Sequence, residues 1–237
     1  MNGRTEYNCQ QGTLDWHIAR LGKCTASHAA DVVTPTGKAT ANKARETYRN
    51  ELLAERLTGK ITQHFTTDAM KHGTKLEPRA RAWYSVETGR DVREVGFVTR
   101  DDVAGCGCSP DGLCDDRGLE IKCPLTHTLI GQLLCDEPPA EYVMQVQFCA
   151  WVCGLPAWDL VLFSDNAGVP SRIYTIAADE KLHASFDLHV PAFLAELAAC
   201  EARLIALGGI KQAVQGSDAA YDQIADGMSP MPDGKGR

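Results

Sequence analysis

Apolar positions recur at close to helical spacing over residues 41–57, where Ala44, Tyr48, Leu52 and Leu53 share a face and Gly59 follows as a stop. A second helix is predicted over residues 76–88, burying Ala80, Trp83 and Tyr84 and ending at Gly89. The segment TASHAADVV (25–33) predicts a helix that starts near Thr25 or Ser27, either of which can cap it, and TPTGK after it reads as a turn. Past residue 92 the period changes. REVGFVT, AGCGCSPDGL and GLEIKC are short runs bounded by turn residues, as strands are, and residues 115–118 form the turn between the last two. A helix over 140–153 stopped by Gly154, strands WDLVLFS and SRIYTIA, and a long helix over 179–207 complete the pattern. Helices, a small mixed sheet and more helices predict an α/β protein, with one domain over residues 1–210 and a loosely held tail over 211–237 that is rich in Gly, Asp and Pro.

Charge changes this picture more than composition does. The chain of 237 residues carries a net charge of −7, which by itself argues against a nucleic-acid partner. Its distribution is uneven: residues 1–100 hold 16 Lys+Arg against 11 Asp+Glu, and the remainder 8 against 20. A basic half joined to an acidic half that could hold metal is compatible with DNA, because local charge governs binding. A solvated surface explains it almost as well. No apolar run approaches the roughly 18 residues of a membrane span, and MNGRTEYNCQQG lacks the apolar core of a signal peptide, so a cytoplasmic protein is expected. The ten cysteines include no C-x-x-C pair and are expected to be reduced, mostly small buried residues. Scattered cysteines can also ligate an iron–sulfur cluster, a reading the spacing leaves open.

The stretch CSPDGLCDDRGLEIKCP, residues 108–124, carries the candidate chemistry. Side chains alternate along a strand, so Glu120 and Lys122 share one face while Ile121 points into the core. The tight turn brings Asp111 back beside Glu120. Two carboxylates and the Ile121 carbonyl make a hard oxygen site suited to Mg²⁺ or Mn²⁺. Lys122 beside them can orient a water or stabilise charge developing on a phosphate. An isolated Asp-Gly is also a common turn, and Glu-x-Lys is often only a solvated strand face. The apolar frame of Leu119, Ile121 and Pro124 favours the chemical reading without deciding it.

Pro-Asp, eight residues and then Glu-x-Lys resembles the PD-(D/E)xK nuclease superfamily, whose fold is a restriction-endonuclease-like mixed sheet flanked by helices. Five ordered blocks extend the match: WHIARLGKCTAS (16–27), HGTKLEPRARAWYSVETG (72–89), CSPDGLC (108–114), GLEIKCP (118–124) and YVMQVQFCAWV (142–152). Together they resemble the phage lambda exonuclease family of YqaJ-type viral recombinase nucleases. The resemblance implies that Asp111, Glu120 and the Ile121 carbonyl ligate catalytic Mg²⁺, with Mn²⁺ as a substitute, in a two-metal mechanism. Lys122 would position or activate the attacking water. Glu77 matches a helical glutamate facing the metals, although it could equally be a favourable charge near the start of its helix. Asp101 matches an accessory acidic position before the hairpin.

Arg20 matches an arginine that grips the terminal 5′-phosphate, with Ser27, Ser109 and Gln145 in the same pocket. A helix start at Ser27 would suit phosphate as well as a plain cap. Gln145 and Gln147 interrupt an otherwise apolar helix, where buried amides need partners, so one or both could serve the core alone. The family resemblance implies a homotrimeric ring around duplex DNA. It also implies a 5′→3′ exonuclease that leaves 3′ single strands for an annealing protein in phage-type recombination, in a bacterial host cell. No iron–sulfur cluster is expected on this reading. The alternatives are an iron–sulfur nuclease of DNA repair or CRISPR adaptation, and a non-catalytic DNA-end-binding module.

Overall fold

The computed structural model describes residues 3–62 and 67–210, so the tail expected over 211–237 lies outside the described residues. Its strands form two four-stranded mixed sheets. The first has the order β1 (Arg4–Tyr7), β3 (Phe97–Arg100), β4 (Cys106–Cys108), β2 (Cys24–Thr25), with β2 and β4 parallel. The second has the order β5 (Gly112–Leu113), β6 (Gly118–Lys122), β7 (Ala157–Leu162), β8 (Arg172–Ala177), with β6 and β7 parallel. One sheet was expected. The run AGCGCSPDGL is instead broken at Ser109-Pro110 into β4 and β5, because proline has no N–H to donate to a ladder.

Among the described residues seven α-helices flank the sheets: α1 (Leu14–Arg20), α2 (Ala29–Val32), α3 (Lys43–Thr58), α4 (Asp68–Thr88), α5 (Thr126–Leu133), α6 (Ala140–Cys153) and α7 (Glu180–Ala206). Three differences from the sequence pattern bear on the site. Residues 26–28 form a 3₁₀ turn before the four-residue α2, and neither Thr25 nor Ser27 makes a side-chain cap. Thr25 belongs to β2, and its N–H donates to the Tyr48 hydroxyl at 2.9 Å. Helix α4 begins at Asp68 rather than residue 76, capped by the Thr67 hydroxyl, which accepts from Met70 N–H at 3.2 Å. Glu77 is therefore mid-helix, which overturns its reading as a charge at the helix start. Strand β1 and helices α1 and α5 are additions.

Helix α6 is the centre of the molecule. Met144 and every residue from Val146 to Cys153 are buried, so this stretch is covered on all sides, as its mostly apolar sequence requires. It packs against both sheets, the 3₁₀ turn, α2 and α7. One apolar cluster gathers around it, with Cys24, Val98, Cys108, Phe148, Trp158, Leu160, Phe186 and Phe193. A smaller one lies under α4, where Leu76, Ala80 and Tyr84 meet Leu119, Ile121, Val161 and Phe163. Strand β6 is thus clamped between them, Leu119 and Ile121 toward α4 and Glu120 and Lys122 toward α6. Gly118 opens β6 because any Cβ there would run into the Trp158 ring. Six of the ten cysteines, Cys24, Cys106, Cys108, Cys123, Cys149 and Cys153, are buried thiols.

Candidate active site

The β5–β6 register pairs Gly112 with Leu119, which sets Asp111 across from Glu120 as the turn predicted. Two bonds lock this register: Asp111 N–H donates to the Leu119 carbonyl at 3.1 Å, and Ile121 N–H donates to Asp111 Oδ2 at 2.6 Å. The Lys122 carbonyl is used by Phe163 N–H of the neighbouring strand end, at 2.9 Å. Carbonyls alternate along a strand, so that of Ile121 points to the opposite edge, the Asp111 side, where β5 has already ended.

Across from this edge α6 supplies Gln145. Its Nε2 donates to Glu120 Oε1 at 2.6 Å, and its Oε1 accepts from Lys122 Nζ at 3.0 Å. Lys122 Nζ also lies 2.7 Å from Glu120 Oε1 and 5.2 Å from the centre of the Tyr142 ring. Glu120 is only 3% exposed, and its other oxygen, Oε2, has no hydrogen-bond partner among the described residues. A buried carboxylate oxygen without a donor is costly unless a cation takes its charge. Burial first, and then the nearby Glu120 and Glu77 carboxylates, push the Asp111 carboxyl well above its ordinary range. Glu77 is raised for the same reasons, burial first, with Arg81 opposing and Glu120 adding to the shift. Burial works against the Lys122 ammonium, yet Glu120 and Asp111 outweigh it and hold the group above its usual value.

Among the described residues no group of three or more His, Cys, Asp and Glu is arranged to ligate a metal. The set here is smaller in side chains, two carboxylates and a main-chain carbonyl, which are the hard oxygen donors that Mg²⁺ and Mn²⁺ take, with water filling the remainder. The orphaned Glu120 Oε2 and the unfavourable crowding of carboxylates fit such an ion.

The second cluster is built on α1. Arg20, its last residue, stacks 4.5 Å from the centre of the Trp16 ring and donates through Nη1 to Ser109 Oγ at 2.9 Å. Trp16 Nε1 donates to the same hydroxyl at 2.9 Å. Among the described residues no carboxylate lies within ion-pair distance of Arg20, and burial depresses its guanidinium. A half-buried guanidinium with no carboxylate partner is a place for an anion. Ser27 is exposed, its hydroxyl 3.4 Å from that of Thr25. Parallel pairing of Thr25 with Gly107 places Ser27 and Ser109 at the same end of the ladder, each two residues beyond the pair.

Of the residues singled out in the sequence, Asp111, Glu120, Ile121, Lys122 and Gln145 come together directly, and Glu77 joins them through the electrostatics of the carboxylates. Arg20 and Ser109 form the neighbouring cluster, with Ser27 beside them. Asp101 does not belong. It accepts from the Thr5 hydroxyl at 2.8 Å beyond the end of β3, and antiparallel pairing with β4 puts it at the opposite end from Asp111. Gln147 serves the core, bonded to the Ala177 carbonyl, Asp179 N–H and His183. Sequence reasoning missed Trp16, Tyr142 and Arg81. Trp16 and Arg81 could have been found by their i,i+4 spacing to Arg20 and Glu77.

The sequence profile of the YqaJ-like viral recombinase domain matches residues 15–156, which contain both clusters. The chain belongs to this family. Among solved structures it is similar to an alkaline exonuclease (LHK-Exo) from Laribacter hongkongensis, at 40% identity over 83% of this chain and 98% of that one, with a TM-score of 0.76. The same exonuclease in complex with dAMP aligns at 42% identity over 81% of this chain and 96% of that one, with a TM-score of 0.73. A phage related exonuclease from Haemophilus somnus 129PT shares the fold at 14% identity, covering 87% of this chain and 96% of that one with a TM-score of 0.52. No curated protein sequence matches the chain significantly.

Proposed function

We propose that this member of the YqaJ-like family is a Mg²⁺-dependent 5′→3′ exonuclease that digests one strand of linear duplex DNA. The observation that carries the proposal is the partly buried cluster of Asp111, Glu120, Lys122 and Gln145, in which the buried Glu120 Oε2 has no donor among the described residues. The likeness to alkaline exonucleases supports the substrate class. Asp111, Glu120 and the Ile121 carbonyl would hold the metal, which when bound would supply Lewis-acid stabilisation of the phosphoryl oxygens. Gln145 clamps Glu120 and Lys122 in one geometry, so the ammonium is pre-aimed and needs no reorganisation during reaction. Lys122 donates a hydrogen bond to the attacking water and offsets negative charge growing on the phosphate. Arg20 and Ser109 grip the terminal 5′-phosphate, with Ser27 alongside, and this selects the strand to be digested.

The product is a duplex with 3′ single-strand overhangs, passed to a single-strand annealing protein in phage-type recombination within a bacterial cytoplasm. A homotrimeric ring would keep DNA threaded through the enzyme, and light scattering on the 25.7 kDa chain tests it by mass. The function itself is tested on linear duplexes labelled at either end of one strand. Label at the 5′ end should be released first and closed circles should persist. Early loss of 3′ label, or cutting of closed circles, would refute the reading.

A further inference from the structure

Arg81 lies on α4 one turn after Glu77, and its side chain is only 14% exposed. Its Nη2 donates to Glu77 Oε1 at 2.6 Å, and its Nε donates to the main-chain carbonyl of Asp111 at 2.9 Å. The remaining nitrogen, Nη1, lies 3.1 Å from Glu94, a side chain 73% exposed. Asp111 directs its N–H to Leu119 in the hairpin, so its carbonyl points away, toward α4. One planar guanidinium thus joins a carboxylate on a helix to the backbone of the hairpin that bears the opposing carboxylate.

We propose that Arg81 is a positioning residue for the divalent-metal site, tying α4 to the hairpin so that Glu77 and Asp111 keep a fixed separation. The inference rests on the metal-site reading above. Glu77 on α4 and the two hairpin carboxylates, Asp111 and Glu120, are groups of like charge, and the α4–hairpin gap is where their repulsion would open the site. Lys122 offsets it from the α6 side and Arg81 from the α4 side. Arg81 binds Asp111 through the carbonyl, so it adds positive charge without occupying either Asp111 carboxylate oxygen. Both of its sheltered arms end on metal-site groups. The Glu94 arm is largely in water, where an ion pair contributes little. Lysine cannot replace this fork, because an ammonium on a flexible stem does not hold a planar set of donors in fixed directions.

The test is calorimetric titration of Mn²⁺ into the full chain, with thermal unfolding in parallel and Mg²⁺ dependence of nucleotide release as a second readout. Wild type should bind Mn²⁺, and Asp111→Ala should not. Arg81→Met should bind it about tenfold more weakly, the loss of one hydrogen bond to a charged group. It should need correspondingly more Mg²⁺ for half-maximal release and regain most of its rate at saturation. Arg81→Lys should remain impaired, and Glu94→Gln should match wild type. Wild-type Mn²⁺ affinity in folded Arg81→Met, or in Arg81→Lys should the first not fold, would overturn the proposal. So would a Glu94→Gln protein as weak as Arg81→Met. A wild type that binds no Mn²⁺ would strike the metal-site reading itself.

Discussion

Replacing Arg20 by methionine separates phosphate recognition from folding. In the protein the guanidinium has one hydroxyl partner, Ser109 Oγ at 2.9 Å, and lies over the rings of Trp16 at 4.5 Å and Phe97 at 5.8 Å, with no carboxylate among the described residues to leave unpaired. The lost interactions are a single hydrogen bond and two aromatic–cation contacts, the nearer of about 0.5–1 kcal/mol and the one to Phe97 weaker by its distance. Removing a partly buried charge that lacks an ion partner recovers part of that loss, and methionine still packs on the indole. The net change in stability should therefore stay within about 1 kcal/mol. Against a terminal phosphate the same guanidinium makes charge-assisted bonds worth about 1.5–3 kcal/mol, or roughly 10–150-fold. The assay compares initial digestion rates on 5′-phosphorylated and 5′-hydroxyl duplexes for wild type and Arg20→Met, with thermal unfolding of both. The variant should lose that preference while its melting temperature moves by a few degrees. A full wild-type preference in the folded variant would refute the pocket. A collapse in stability would show that Arg20 is a structural residue.

Two further perturbations follow from contacts within the fold. Lys122→Ala should lower turnover by at least two decades with DNA binding nearly unchanged, because its charge acts mainly in the transition state; wild-type turnover at saturating Mg²⁺ would sink that assignment. Arg45 and Arg49, bonded to Glu196 at 2.6 and 2.7 Å, hold its carboxyl down at about 2 against an ordinary 4.5. A depressed folded-state value gives stability that is complete above pH 4.5 and lost as pH falls through about 2. Since Glu196 is 35% exposed, screening limits the gain to about 1 kcal/mol. Glu196→Gln should be destabilised by that much at pH 7, with the gap to wild type closing below pH 4.5. A gap that stays constant in acid would exclude the ion pair as its cause.

The chemical hairpin was legible because a strand leaves little freedom: Glu120 and Lys122 share a face by alternation, and the 115–118 turn sets Asp111 opposite Glu120. The helices over 41–57 and 140–153 were legible from their apolar positions and their stopping glycines, Gly59 and Gly154. The start of α4 was not, because DAMKHGTK offers no apolar stripe, and this left Glu77 open between facing the metals and a charge at the helix start. Division of the sheet at Pro110 was hidden inside a run that reads as one strand. Helix α6 is buried all round, so pattern alone could not show which glutamine serves the core; packing assigns Gln147 to α7 and β8 and Gln145 to the carboxylates. The likeness to a family placed Asp101 near the site, whereas antiparallel pairing carries it to the far end of the sheet.

The most direct test of a metal-dependent nuclease at this hairpin is nucleotide release from linear duplex DNA by wild type and Glu120→Gln, both shown to be folded. Glutamine keeps the shape of the side chain but removes the charge behind the orphaned Oε2. Wild type should release nucleotides in Mg²⁺ and stop when the ion is chelated, and Glu120→Gln should release almost none at any Mg²⁺ concentration. Comparable release by the two proteins, or release that survives chelation, would contradict the account.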